Sequence, residues 1–112
     1  MSAITEQCHG AVLVLRADGP LVQDDARILR ERATEAVGGT MGRLAVDLAG
    51  SPYIDSEGLE ALLDIADRMA DCGQTLRLAG VTATVREVLE ITALAQRFEY
   101  YDDTTEAVRS FL

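Results

Sequence analysis

The sequence predicts an α/β fold built on a mostly parallel sheet of four to five strands with about four helices, the short N-terminal strand being antiparallel. Three observations carry that expectation. Apolar runs near residues 11, 44, 76 and 97 read as buried strands. Stretches of helical periodicity separate them. Strands that alternate with helices form βαβ units with right-handed crossovers. The order is β(β)αβαβαβα, with no repeat, linker or low-complexity segment, so residues 1–112 read as one domain.

Taken in order, residues 3–8 suit a short strand that pairs back through His9-Gly10 onto Ala11-Val12-Leu13-Val14-Leu15. Asp18-Gly19-Pro20 breaks regular structure. From about Val22 the pattern is helical: Ala26, Leu29, Ala33, Ala36 and Val37 recur at three and four, and Gly38-Gly39 stops the helix as a C-cap. Leu44-Ala45-Val46-Asp47-Leu48 is the next strand, and Gly50-Ser51-Pro52 ends it. The second helix sets Leu59, Leu62, Leu63, Ala66, Met69 and Ala70 against Glu60, Asp64, Asp67, Arg68 and Asp71, and stops at Gly73. Thr75-Leu76-Arg77-Leu78-Ala79 is a strand. Thr84 with Glu87 makes a capping box for a third helix bearing Val85, Val88 and Leu89, with Ile91 a further candidate for the same face. Residues 97–101 form the last strand. Asp103 with Glu106 caps a final helix carrying Ala107, Val108, Phe111 and Leu112.

Composition narrows the function. The 112 residues include 19 acids, 10 arginines and no lysine, for a net charge of −9. Nucleic acid and anionic membranes both select a basic face, so neither is an expected partner. The longest apolar stretches are about five residues, against the ~20 that a membrane span needs. Residue 6 is a glutamate, and no basic segment precedes a long apolar one, so no signal peptide is expected and the cytoplasm is the default. Cys8 and Cys72 form no Cys-x-x-Cys pair and read as reduced, partly buried thiols. With His9 the single histidine, no zinc site and no cofactor are expected. Asp24-Asp25 and Asp102-Asp103 each open a helix, where capping explains them better than metal binding.

The segment richest in chemistry is Tyr53-Ile54-Asp55-Ser56-Glu57-Gly58-Leu59. It places a serine between two carboxylates at the start of the second helix. Four backbone N–H groups lack partners there, and the dipole is positive. A phosphate on Ser56 would add about −1.5 to −2 of charge and new acceptor oxygens. A plain N-cap serine is the simpler alternative, worth about 1 kcal/mol. Asp55 suits an Asx-type turn, and Gly58 suits a close approach. Asp47, inside a strand, needs a partner if buried. An enzymatic serine is not expected. Ile54-Asp55-Ser56-Glu57-Gly58 is not a nucleophile elbow, and His9 is remote in sequence.

Together these residues resemble the STAS domain family of bacterial anti-sigma factor antagonists. The likeness lies in the strand with its internal Asp47, then Ile54-Asp55-Ser56-Glu57-Gly58-Leu59 and an apolar helix. It extends to Gly19 and Leu21 before the first helix, to Val88-Leu89-Glu90-Ile91-Thr92 with Leu94 and Phe98, and to Tyr101-Asp102-Asp103 with Glu106-Ala107. Two positions depart from the family: Ala93 follows Thr92 where glycine is frequent, and Glu57 stands where a small polar residue is frequent. The resemblance implies a non-enzymatic binding module. Its matching serine, Ser56, would be phosphorylated by an anti-sigma factor serine kinase and restored by a PP2C-type phosphatase. The unmodified form would bind the kinase and free a sigma factor; the phosphorylated form would let go. Asp55, Ser56, Glu57, Gly58, Leu59 and Glu60 would make the partner surface, and Asp47 would lie near the serine loop. The chain alone would be a monomer. Stand-alone members of the family also resemble subunits that dock on the ATPase of a lipid-transporting ABC system, and a stress-complex scaffold is a third role.

Overall fold

The computed structural model describes residues 3–112. Five strands form one sheet in sequence order: β1 (Ile4–His9), β2 (Val12–Asp18), β3 (Leu44–Gly50), β4 (Leu76–Ala79) and β5 (Phe98–Tyr101). β1 is antiparallel to β2, in register Ile4 with Ala17 through His9 with Val12. The other pairings are parallel. The helices are α1 (Gln23–Thr40), α2 (Ser56–Asp71), α3 (Ala83–Ile91) and α4 (Thr104–Arg109).

Alternation along the strands divides the core in two. Leu13, Leu15, Leu44, Val46, Leu48, Leu76 and Leu78 face a large cluster that includes Leu29 of α1, Leu62, Ile65 and Met69 of α2, and Leu89 of α3. Val14, Ala45 and Ala79 face the other side, where Ala107 of α4 covers them. α4 is pinned by the nearly buried Arg77. Its Nε donates to the Ser110 hydroxyl at 3.0 Å, and its guanidinium lies 3.8 Å from the centre of the Phe111 ring.

The chain departs from the sequence reading at several local points. α1 does not stop at Gly38-Gly39 but runs to Thr40, with Met41 left-handed at φ 56. The glycine that matters is Gly42, at φ 81, where a Cβ would stand 2.9 Å from Gln74. α3 begins earlier than expected: its cap is Thr82, whose hydroxyl accepts from the Val85 N–H at 3.4 Å and donates to the Ser51 carbonyl at 3.3 Å. The Thr84 capping box is therefore absent. Ile91 is 76% exposed, and Leu112 is 96% exposed rather than packed. Cys8 and Cys72 are both free and exposed, not partly buried. Asp47 is buried but lies on the α4 side of the sheet, so its side chain is not by the serine loop. Its carboxylate meets Arg16 at 2.8 Å and accepts the Ala49 N–H at 2.9 Å. Hydrogen bonds to Asp18 and the charge of Asp47 hold the Arg16 guanidinium above its ordinary pKa.

Ala93 sits at φ 61, the conformation for which glycine is suited. Ala93→Gly is expected to stabilise the fold by about 1 kcal/mol, read as a rise in denaturant midpoint at constant slope. Burial raises the pKa of Tyr100, helped by Glu90 and opposed by Arg86. Its neutral form is favoured in the fold, so the associated stability is intact below the usual tyrosine value near 10 and is lost as pH rises through the raised value. Tyr100→Phe is expected to flatten the alkaline limb of a stability-versus-pH curve.

Candidate functional site

The site lies where the carboxyl ends of β2 and β3 feed α1 and α2. Leu21, fully buried after the Gly19 turn, bridges in parallel to Ile54. The Leu21 N–H donates to the Tyr53 carbonyl at 3.0 Å, and the Asp55 N–H donates to the Leu21 carbonyl at 3.4 Å. Ser51, wholly buried, donates its hydroxyl to the Gly19 carbonyl at 2.9 Å, closing the loop from beneath. In the sequence, Ser51 stands only as part of the Gly50-Ser51-Pro52 breaker. A small polar residue before a proline carries no further signal.

The N-cap of α2 is Asp55, not Ser56. Asp55 is extended (φ −104, ψ −171), and its Oδ1 accepts the Gly58 N–H at 2.9 Å. Its Oδ2 accepts the Gln23 N–H of α1 at 3.3 Å. One carboxylate thus caps two helices, satisfying donors that helix starts leave open and placing negative charge where both dipoles are positive. Gly58 is buried because a Cβ there would stand 2.3 Å from the Leu21 carbonyl oxygen and 3.1 Å from the Ile54 side chain.

Ser56 is therefore the first helical residue. It is exposed, and its hydroxyl has no partner among the described residues. The exposed Glu57 and Glu60 have no partners among the described residues, whereas Gly58 and most of Leu59 turn inward. Glu57 and Glu60 border a groove of about 270 Å³ between α1 and α2, with Ala26, Arg27, Arg30 and Ala61 as its other walls. The acidic face of α2 is not uniformly free: Asp64 pairs with Arg30 at 3.4 Å, and Asp67 pairs with Arg97. Tyr53, 52% exposed, stands three positions before Ser56. The arginines of α1 and the Gln23 amide were not among the expected site groups, because only tertiary packing brings α1 beside α2.

His9 lies at the opposite end of the sheet, paired with the start of β2, so it forms no couple with Ser56. Among the described residues, no three His, Cys, Asp or Glu side chains are placed to hold a metal, and no helix is long and apolar enough to cross a membrane. What the arrangement offers chemically is a presented hydroxyl on a turn whose geometry does not use it.

That division predicts opposite outcomes for neighbouring residues. Asp55→Ala is expected to cost about 0.5–2 kcal/mol as a lost cap, and Ser56→Ala to be near neutral, both by chemical denaturation. Gly58→Ala forces Leu21 or α2 to move and is expected to cost about 1–3 kcal/mol.

The fold has known counterparts. No curated protein matches the chain by sequence. Among solved structures, a Thermotoga maritima protein superposes with a TM-score of 0.85 at 20% identity, over 96% of this chain and 92% of its own. The Bacillus cell-fate determinant SpoIIAA in its phosphorylated form gives 0.76 at 17% identity, over 98% and 100%; in its unphosphorylated form, where it is described as an anti-sigma factor antagonist, it gives 0.75 at 15% over 97% of each. A murine solute carrier 26 anion transporter contains the same fold, at TM-score 0.74 and 20% identity over 93% of this chain but 18% of its own. At these identities the likeness is one of fold. The family assignment rests on the sequence model of the STAS domain, which matches residues 3–107. The chain belongs to the STAS domain family.

Proposed function

We propose that this chain is an anti-sigma factor antagonist switched by phosphorylation of Ser56. In this reading the unmodified form binds an anti-sigma factor serine kinase in the cytoplasm and releases a sigma factor. Transfer of a phosphoryl group to Ser56 ends that binding, and a PP2C-type phosphatase restores it. The observation that carries the proposal is the Ser56 hydroxyl, exposed and unpartnered on a helix start that Asp55 caps without its help.

The physical effect follows from charge. Ser56 sits beside Asp55 and Glu57, in a chain of net charge −9. An interface that dehydrates this surface accepts a hydroxyl. A phosphate adds about −1.5 to −2 of charge and must be paired or expelled. Affinity then changes with no large change of fold. The contact surface is built from Ser56, Glu57 and Glu60, with Asp55, Gly58 and Leu59 shaping it from below.

The test is parallel capture from the native host's lysate with wild type and Ser56→Asp as baits, read by mass spectrometry. The expected outcome is an ATP-binding serine kinase held by wild type and lost with Ser56→Asp. An ABC ATPase held equally by both baits would overturn the proposal and favour a transporter-docking subunit.

A further inference from the structure

The strained residue nearest the serine is not in its loop but at the start of α1. Gln23 has φ 47, which is disfavoured for a residue bearing a Cβ. Its side chain is exposed and makes no bond among the described residues. The conformation is therefore not held by the glutamine side chain. An ordinary helical start would have φ near −63° and aim the N–H elsewhere. The observed backbone instead delivers the Gln23 N–H to Asp55 Oδ2 at 3.3 Å. Strain that persists at such a position is held by its surroundings and clusters at functional sites.

We propose that Gln23 is a positioning residue for Ser56: its left-handed backbone clamps the second oxygen of Asp55, and Asp55 in turn fixes the turn that presents the hydroxyl. Asp55 Oδ1 is engaged by Gly58. With Oδ2 also engaged, the carboxylate cannot rotate, and the residue directly after it is held in place. The coupling runs both ways, as any coupling between two sites must. Negative charge arriving on Ser56 repels the adjacent Asp55 carboxylate and loads the Gln23 bond. The beginning of α1 thereby senses the state of Ser56. This role rests on Ser56 being the modified residue, while the clamp itself needs no partner protein.

The test uses the full chain and backbone amide NMR. In Asp55→Asn, an amide donor replaces one acceptor, and exchange protection of the Gln23 amide is expected to fall roughly tenfold or more, the factor of one charge-assisted hydrogen bond. Gln23→Pro removes the donor and cannot adopt φ 47, although proline is normally tolerated at a helix start. It is expected to raise fast mobility at Ser56 and Glu57 while Leu62 and Ile65 in mid-α2 stay protected. Gln23→Gly keeps the donor and relieves the crowding, so Ser56 order is expected to equal that of wild type. Ser56→Asp is expected to shift the Gln23 amide resonance. Unchanged Ser56 order in folded Gln23→Pro, or an unmoved Gln23 amide in Asp55→Asn, would overturn the proposal. If Gln23→Pro does not fold, the contrast between Asp55→Asn and Gln23→Gly decides. None of these readings uses the kinase, so a failed lysate capture leaves them intact.

Discussion

A single carboxylate organises the turn that carries Ser56. Asp55 accepts from Gly58 in α2 and from Gln23 in α1, and its own N–H reaches the Leu21 carbonyl. Without it, two helix starts would lie side by side with unsatisfied donors and two positive dipole ends sharing no counter-charge. With it, they share one counter-charge. The consequence for Ser56 is freedom. Because capping is done by its neighbour, the serine is released from structural duty, and its hydroxyl is available to chemistry.

The same logic explains Gly58. The Asp55–Leu21 contact draws the chain so close that Leu21 oxygen occupies the space of a side chain. A glycine there is the steric complement of the bridge between Leu21 and Ile54. The β2–α1 connection therefore acts as the floor of the serine turn, though it is distant in sequence. Around it, the arginines of the described structure are largely committed to acids: Arg27 to Glu31, Arg30 to Asp64, Arg86 to Glu90, Arg97 to Asp67. Exposed pairs of this kind add little stability. Among the described residues they leave Glu57 and Glu60 as unpaired negative groups beside the hydroxyl.

The order of elements was legible because burial imposes its period on the sequence: alternating layers at Leu13, Leu15, Val46 and Leu78, and threefold-to-fourfold spacing at Leu62, Ile65 and Met69. The position of Ser56 at a helix start was legible for the same reason. What failed was finer. Gly38-Gly39 looked like a stop, but the helix runs on to Thr40 and turns through left-handed Met41 and Gly42, whose N–H returns to the Val37 carbonyl. Thr84 and Ser56 looked like caps, yet Thr82 and Asp55 hold those posts, since each also bonds to a distant segment. The resemblance placed Asp47 near the serine loop; strand alternation puts its side chain on the face of Ala45, where Arg16 and the Ala49 N–H hold it. The Gln23 amide carried no sequence signal at all: backbone strain is a property of the assembled chain.

Strand order that follows sequence order has a bearing on synthesis. Each of β2 to β5 docks on a strand already made, although each parallel pairing waits for its helical crossover to close. A ribosome emitting this chain from its N-terminus delivers β1 to β3, then the Asp55 turn, before any of β4, α3 or α4 exists. The Ser56 turn is thus made before the strands and helices that complete the sheet on its far side. Within the described chain, α4 and the Arg77–Phe111 contact cover the other face of the sheet after those elements.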